Sequence, residues 1–253
     1  MAKKLAIVNQ KGGVGKSTTA INLGAALAEE GFKVLIVDID PQGNASSGLG
    51  INKTEIEYSI YDLLLEGVDF SEVIISVAEA NLDIIPANID LAGAEIELVS
   101  QISRESRLDK ALQGDTDGYN YILIDCPPSL GLLTLNALTA ADGVIVPIQC
   151  EYYALEGLGQ LLETIKLVQN NLNSKLELEG VLLTMYDSRT NLSDQVADEV
   201  KKHFSDEIYQ TVIPRNVRLS EAPSFGQSII SYDNKSSGAK AYRKLAQEVL
   251  EDG

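Results

Sequence analysis

The residues best placed to do chemistry come early in the chain, in Gln10-Lys11-Gly12-Gly13-Val14-Gly15-Lys16-Ser17-Thr18, between an apolar run and a helical pattern. Glycines there let backbone N–H groups turn inward around phosphate oxygens, where a Cβ would obstruct the approach. A helix opening at Ser17 adds the partial positive charge of its N-terminus. Lys16 is placed to bridge β- and γ-phosphates, and the Ser17 hydroxyl to ligate Mg²⁺. The nucleotide-contacting run is therefore Gly12, Gly13, Val14, Gly15, Lys16, Ser17 and Thr18. Against GxxxxGKS/T, Gln10 replaces the first glycine. A dinucleotide fingerprint fits worse, because Thr18 stands where its last glycine belongs. Lys11 is a second cation in the loop: either a solvated surface lysine, or a charge given to the phosphates of a neighbouring subunit.

Three carboxylates follow apolar runs. Asp38 and Asp40 end one run, and strand alternation puts both on the same side; either could position water or metal, and the bland alternative for Asp38 is a helix N-cap. Asp125 closes Tyr121-Ile122-Leu123-Ile124, the pattern of a carboxylate that holds Mg²⁺ through water. The expected metal set is Ser17, Asp38 and Asp125. No histidine or cysteine is set up as a nucleophile, so direct attack of water on a γ-phosphate is the economical reaction.

Positioning these groups requires a sheet. Short Val/Ile/Leu-rich runs at Leu5–Val8, Val34–Val37, Leu82–Ile85, Ile122–Ile124, Val144–Ile148, Val181–Thr184 and Val212–Ile213 predict strands. Amphipathic stretches at Ser17–Glu30, Leu155–Leu172 and Asp194–Phe204 predict helices. The alternation implies an α/β fold, a doubly wound, mostly parallel sheet with helices on both faces, as in P-loop NTPases, with ligands at the carboxyl ends of the strands. At 253 residues without a repeat or linker, one domain spanning 1–253 is expected. Asn52–Ala80 is acidic and mixed in pattern; short helices over the nucleotide edge are the reading there.

Composition narrows the function. A net charge of −17 argues against a generally basic surface for nucleic acid, so DNA contact needs a local patch. His203 is the only histidine, which nearly excludes histidine chemistry. Cys126 and Cys150 lack metal or disulfide spacing and read as buried, reduced thiols. The N-terminus has no signal-peptide pattern and no run suits a bilayer, so a cytoplasmic protein is expected.

KGGVGKST resembles the deviant Walker A box of the MinD/ParA class, and the resemblance continues through VDIDPQGN, IDCPPSLG, PIQCEYYALEG and IPRNVRLSEAP, spanning Asn9 to Pro223. It is greatest to the short chromosomal ParA proteins called Soj. The resemblance implies an ATPase using ATP and Mg²⁺, with Lys11 contacting nucleotide across a sandwich homodimer. Lys11, Lys16 and Asp40 are then the catalytic set, Asp40 orienting the attacking water and Pro127 and Pro128 lying in a γ-phosphate-sensing switch. Glu151 falls where the family places ribose and cross-subunit contacts. Met185, Pro214, Arg215 and Asn216 match loops around adenine, and Asn216 has both donors and acceptors for a base edge.

For nucleic acid, Arg189 and Arg218 match family positions on DNA phosphates, with Lys201, Lys202, Lys235, Lys240, Arg243 and Lys244 as a candidate extension. The implied function is partition of DNA: non-specific, ATP-dependent binding of double-stranded DNA on the nucleoid, reset by hydrolysis that a ParB/Spo0J-type partner stimulates. A MinD-like membrane ATPase would need a basic amphipathic tail, whereas this chain ends in an acidic stretch that disfavours anionic lipid. A nitrogenase-reductase-like cluster protein would need cysteines in other positions. The non-enzymatic alternative is a nucleotide-gated DNA scaffold or regulator with incidental hydrolysis.

Overall fold

In the computed structural model, which describes residues 1–113, 116–151, 157–204 and 207–251, the apolar runs become strands of one sheet. They are β1 (Lys3–Ile7), β2 (Val34–Asp38), β3 (Ile75–Ser76), β4 (Leu82–Ile85), β5 (Tyr121–Asp125), β6 (Gly143–Gln149) and β7 (Glu177–Thr184). The order across the sheet is β3-β4-β2-β5-β1-β6-β7, and β3 alone pairs antiparallel.

Two-residue alternation decides which layer each side chain joins. Leu5, Ile7, Val34, Ile36, Leu123 and Ile145 face the helices Lys16–Glu29 and Ser237–Glu251, packing with Leu23, Leu27, Tyr242 and Leu245. Ala6, Leu35, Val37, Ile122, Ile124 and Val146 face the opposite layer, with Leu98, Leu133 and Leu161 from helices Leu91–Leu98, Leu132–Ala140 and Leu158–Asn171. Because both faces are covered, the strands are continuously apolar, as parallel sheets require.

Departures from the sequence reading have local causes. Val212–Ile213 is not a strand. Residues 207–214 run beside β7 and the turn after it, joined by isolated bridges, Val181 to Ile208 and Tyr186 to Pro214, and by Ile213 N donating to Leu183 O at 2.8 Å. Between those bridges Gln210 and Thr211 give their N–H groups to the Glu248 carboxylate, at 2.7 and 2.8 Å, instead of to a neighbouring strand. Asp194–Phe204 begins earlier, as Asn191–His203, because the Thr190 side chain caps it by accepting from Ser193 N. The Leu155–Leu172 helix is seen as Leu158–Asn171; residues 155 and 156 lie outside the described residues. Within Asn52–Ala80, Ile60–Leu65 forms a helix with a Ser59/Asp62 capping box. Its Ile60 and Leu64 are fully buried, so this stretch adds to the core layer.

Candidate active site

Register brings the site together. Asp38 at the end of β2 and Ile7 at the end of β1 both pair with Asp125 at the end of β5, so the glycine-rich loop leaving β1 lies beside both carboxylates. The loop is tied down from the β6–β7 side. Thr184 Oγ1 donates to Val14 O at 2.8 Å, and Asn9 Nδ2 donates to Pro147 O at 2.7 Å while its Oδ1 accepts from Lys11 N at 2.9 Å. Lys16 Nζ curls back to donate to Lys11 O at 3.2 Å. Gly15 caps the Lys16–Glu29 helix at φ +93°, where a side chain would strain the backbone although its Cβ would meet Thr184 only at an ordinary contact distance of 3.8 Å.

Asp38 and Asp125 are fully buried side by side. Asp38 accepts from Ser46 Oγ at 2.7 Å, Ser46 N at 2.8 Å and Asp40 N at 3.2 Å. Burial still pushes its carboxyl up to about 6. Asp125 is raised well above the carboxylate range, first by burial and next by the charge of Asp38, while the Ser17 hydroxyl and the Lys16 ammonium act in the opposite sense. Neither of its oxygens has a full hydrogen bond among the described residues. Burial lowers the Lys16 ammonium, opposed by Asp125, Cys126 and Asp40.

An orphaned buried carboxylate beside a hydroxyl is a donor set suited to a hard, oxygen-ligated cation such as Mg²⁺. Among the described residues no group of three or more His, Cys, Asp or Glu forms a metal cage, so the remaining ligands would come from hydroxyl, water or phosphate. Asp40, also buried, fixes one carboxylate oxygen by accepting from Gln42 N at 2.9 Å. Cys126 and Cys150 are free and buried, and burial holds both thiols protonated, Cys150 at about 11.

The residues matched to the base divide. Glu151, Met185 and Arg215 line one cavity of about 360 Å³ together with Cys150, Asp187 and Thr190. Met185, next in the chain after Thr184, takes a left-handed φ of +51° to turn there. Pro214 lines a different cavity, of about 650 Å³, against Ser237, Lys240 and Lys244. The Asn216 side chain is engaged within the chain: Oδ1 accepts from Arg218 N and Nδ2 donates to Ser237 Oγ, both at 2.8 Å.

A family profile described as an AAA domain matches residues 2–178. The sporulation initiation inhibitor protein Soj of Bacillus subtilis is 63% identical over 253 residues, the whole of both chains. The chromosome partitioning protein ParA of Caulobacter vibrioides is 55% identical over 97% of this chain and 93% of its own. The chain belongs to the ParA/Soj family of chromosome-partitioning ATPases. A crystal structure from Mycobacterium smegmatis, named cobyrinic acid a,c-diamide synthase and holding ADP and magnesium, superposes with a TM-score of 0.89 at 43% identity, over 99% of this chain and 95% of that one. The activity in that name is a different one, but the fold is shared.

In this ParA/Soj ATPase the two arginines matched to DNA both start from ion pairs. Arg189 holds Asp187 through Nε and Nη2 at 2.8 and 2.7 Å, and depresses that carboxyl far below its usual range. Arg218 Nη1 donates to Glu221 at 2.8 Å, with Asp233 3.7 Å from Nε. The candidate basic extension also divides, because Arg243 is clamped by Glu29 at 2.6 and 2.9 Å while Lys240 and Lys244 line the larger cavity. Sequence reading missed Thr184 and Ser46. A threonine ending a strand and a serine inside the short helix Asn44–Gly48 carry no local mark; their roles appear only when Val14 and Asp38 are brought to them.

Proposed function

We propose that this ATPase is a nucleotide-driven switch for DNA segregation, acting in the cytoplasm on the nucleoid and built on one domain. Two copies close face to face on Mg·ATP, the dimer binds double-stranded DNA without base readout, and slow hydrolysis, stimulated by a ParB/Spo0J-type partner, reopens it. The observation that carries this reading is Lys11. Its carbonyl is spent on Lys16, but its ammonium has no partner among the described residues and sits on a half-exposed loop. A cation left unpaired beside the phosphate cradle suits the triphosphate of a second copy.

Within each copy, the N–H groups of Gly12 to Thr18 and the Lys16 ammonium would bind phosphate oxygens. Ser17, Asp125 and Asp38 would hold Mg²⁺, directly or through water, and the ion would neutralise charge gathering on the phosphates. Asp40, with one oxygen fixed, would orient water with the other. Glu151, Met185, Pro214, Arg215 and Asn216 would enclose ribose and base. Pairing the patches of two copies roughly doubles the phosphates neutralised, so DNA affinity would rise on dimerisation and fall steeply with salt.

Gel filtration with Mg·ATP tests the scheme. Lys11→Ala is expected to bind ATP and remain monomeric, whereas Arg189→Glu dimerises and no longer shifts DNA. A dimer from Lys11→Ala would remove the central support.

Thr184 gives a further prediction. The carbonyl and N–H of a trans peptide point in opposite directions, so tying Val14 O to β7 aims the Gly15 N–H into the loop. Thr184→Val, which keeps the shape and loses the hydroxyl, is expected to weaken ATP binding about tenfold by loss of one buried hydrogen bond, with Thr184→Ser restoring it. Calorimetric titration of the two variants checks this, and equal affinities for both would refute it.

A further inference from the structure

Asp40 is held by the turn that it opens. Gly43 N donates to Asp40 O at 2.8 Å and Gln42 N to Asp40 Oδ1 at 2.9 Å, so the main chain and the side chain of Asp40 are set by the two peptides that flank Gln42. The Gln42 carbonyl lies in the same rigid plane as the Gly43 N–H and points the opposite way. Bonds within the turn leave that carbonyl unpaired. Lys53, eleven residues further on, donates to it through Nζ at 2.6 Å. The Gln42–Gly43 peptide is therefore gripped at both edges, by Asp40 on one and by Lys53 on the other.

The lysine is mounted for this contact. Ile51 N donates to Ser46 O at 3.0 Å, and Asn52 Oδ1 accepts from Thr54 N and Thr54 Oγ1 at 3.3 and 2.9 Å, which fixes the chain on both sides of Lys53. Its stem crosses the turn over Gly43, where an added Cβ would stand 2.7 Å from Lys53 Cδ and 2.8 Å from Ala87 O. Gly43, at φ +59°, thus leaves the room through which the lysine passes. Lys53 is half-exposed in a chain of net charge −17, yet it pairs with no carboxylate among the described residues. Its ammonium goes to one main-chain oxygen instead, in a charge-assisted bond stronger than a neutral one.

We propose that Lys53 is a positioning residue for hydrolysis: through the Gln42–Gly43 peptide it holds the Asp40 carboxylate in the orientation that aligns water with the γ-phosphate. This rests on the role given to Asp40 above. Lys53 itself touches no nucleotide in this scheme, and the phosphate loop is tied down separately, by Thr184 and Asn9. Loosening the turn therefore slows the chemical step and leaves ATP binding intact, as a small misplacement of an orienting group does.

The test is single-turnover hydrolysis of bound Mg·ATP by the full chain, with ATP affinity and ATP-dependent dimerisation measured on the same samples. Lys53→Met keeps a stem across Gly43 and removes the ammonium. It is expected to slow hydrolysis about tenfold at unchanged ATP affinity and unchanged dimerisation. In an Asp40→Ala background Lys53→Met is expected to add nothing, because the group it positions is gone. A parental rate in Lys53→Met overturns the proposal, as does a matching loss of ATP affinity or of the dimer. So does a full tenfold effect that persists without Asp40, which would make Lys53 act by another route. The two layers fail differently: Asp40→Ala at the parental rate removes the reading of Asp40 and this inference with it, whereas a slow Asp40→Ala beside a parental Lys53→Met removes this inference alone. Lys53 is half-exposed, so the methionine variant is expected to fold, which circular dichroism checks independently.

Discussion

Asp40→Ala is expected to yield a protein that loads Mg·ATP with near-normal affinity and hydrolyses it at least about a hundredfold more slowly, the loss typical of removing a group that orients a reacting water. The side chain is buried at the strand end, and one of its oxygens is held by Gln42 N at 2.9 Å. Its removal therefore leaves the phosphate cradle and the Asp38–Asp125 pair in place. Phosphate release and nucleotide affinity measured on the same variant separate the two effects. Loss of ATP binding equal to the loss of turnover would mean that Asp40 supports the loop and has no part in positioning water. The trapped ATP state would also be the material of choice for the dimerisation and DNA experiments above.

A second large effect comes from electrostatics. Asp38 and Asp125 hold their protons more tightly in the folded chain than they would unfolded, Asp38 up to about 6 and Asp125 further in the same direction. For raised carboxyls the sign is unfavourable as they ionise. The folded state binds more protons than the unfolded one between the two values, so stability of the ligand-free chain is fullest below about pH 4 for this pair and declines as pH rises through about 6. At about 1.4 kcal/mol per unit, Asp38 alone accounts for roughly 3 kcal/mol by neutral pH.

Asp125→Asn keeps the shape, removes one of the two charges and relieves Asp38. Thermal unfolding without nucleotide at pH 7.5 is expected to shift upward by about 5–10 °C, with a flatter dependence on pH than the parent. Added Mg·ATP, which should stabilise the parent strongly at this pH, should add little to the variant. A lower melting temperature for the ligand-free variant at pH 7.5 would show that the carboxylate is stabilised by its surroundings.

Much of this could be read from residue order. The loop Gln10–Thr18 and the aspartates closing Val34–Asp38 and Tyr121–Asp125 are local patterns, and parallel pairing alone then carries them to one place. What escaped depends on partners far away in the chain. Val212–Ile213 has the composition of a strand, but Glu248 captures the amides just before it. Arg189 and Arg218 look like free cations until Asp187 and Glu221 are seen to pair with them, so any phosphate approaching either would compete with a carboxylate. The Leu91–Leu98 helix lacks the one-sided pattern that marks an amphipathic element, because both of its sides are apolar. Asn216 displays a useful amide in the sequence, yet capping the Val217–Glu221 helix and holding Ser237 occupies it.

The Glu248 contact has a mechanical corollary. The chain that leads into Pro214 and Arg215 is held on two sides, by two amides given to a carboxylate on the Ser237–Glu251 helix and by backbone bonds to β7, Tyr209 N to Val181 O at 3.1 Å and Ile213 N to Leu183 O at 2.8 Å. Tension applied at that helix is therefore passed through this segment to the β7 edge of the sheet. A bulky fusion or tether attached there would tug on the segment leading into Pro214 and on the sheet's edge, whereas the same attachment at Lys3 would load the middle of the sheet.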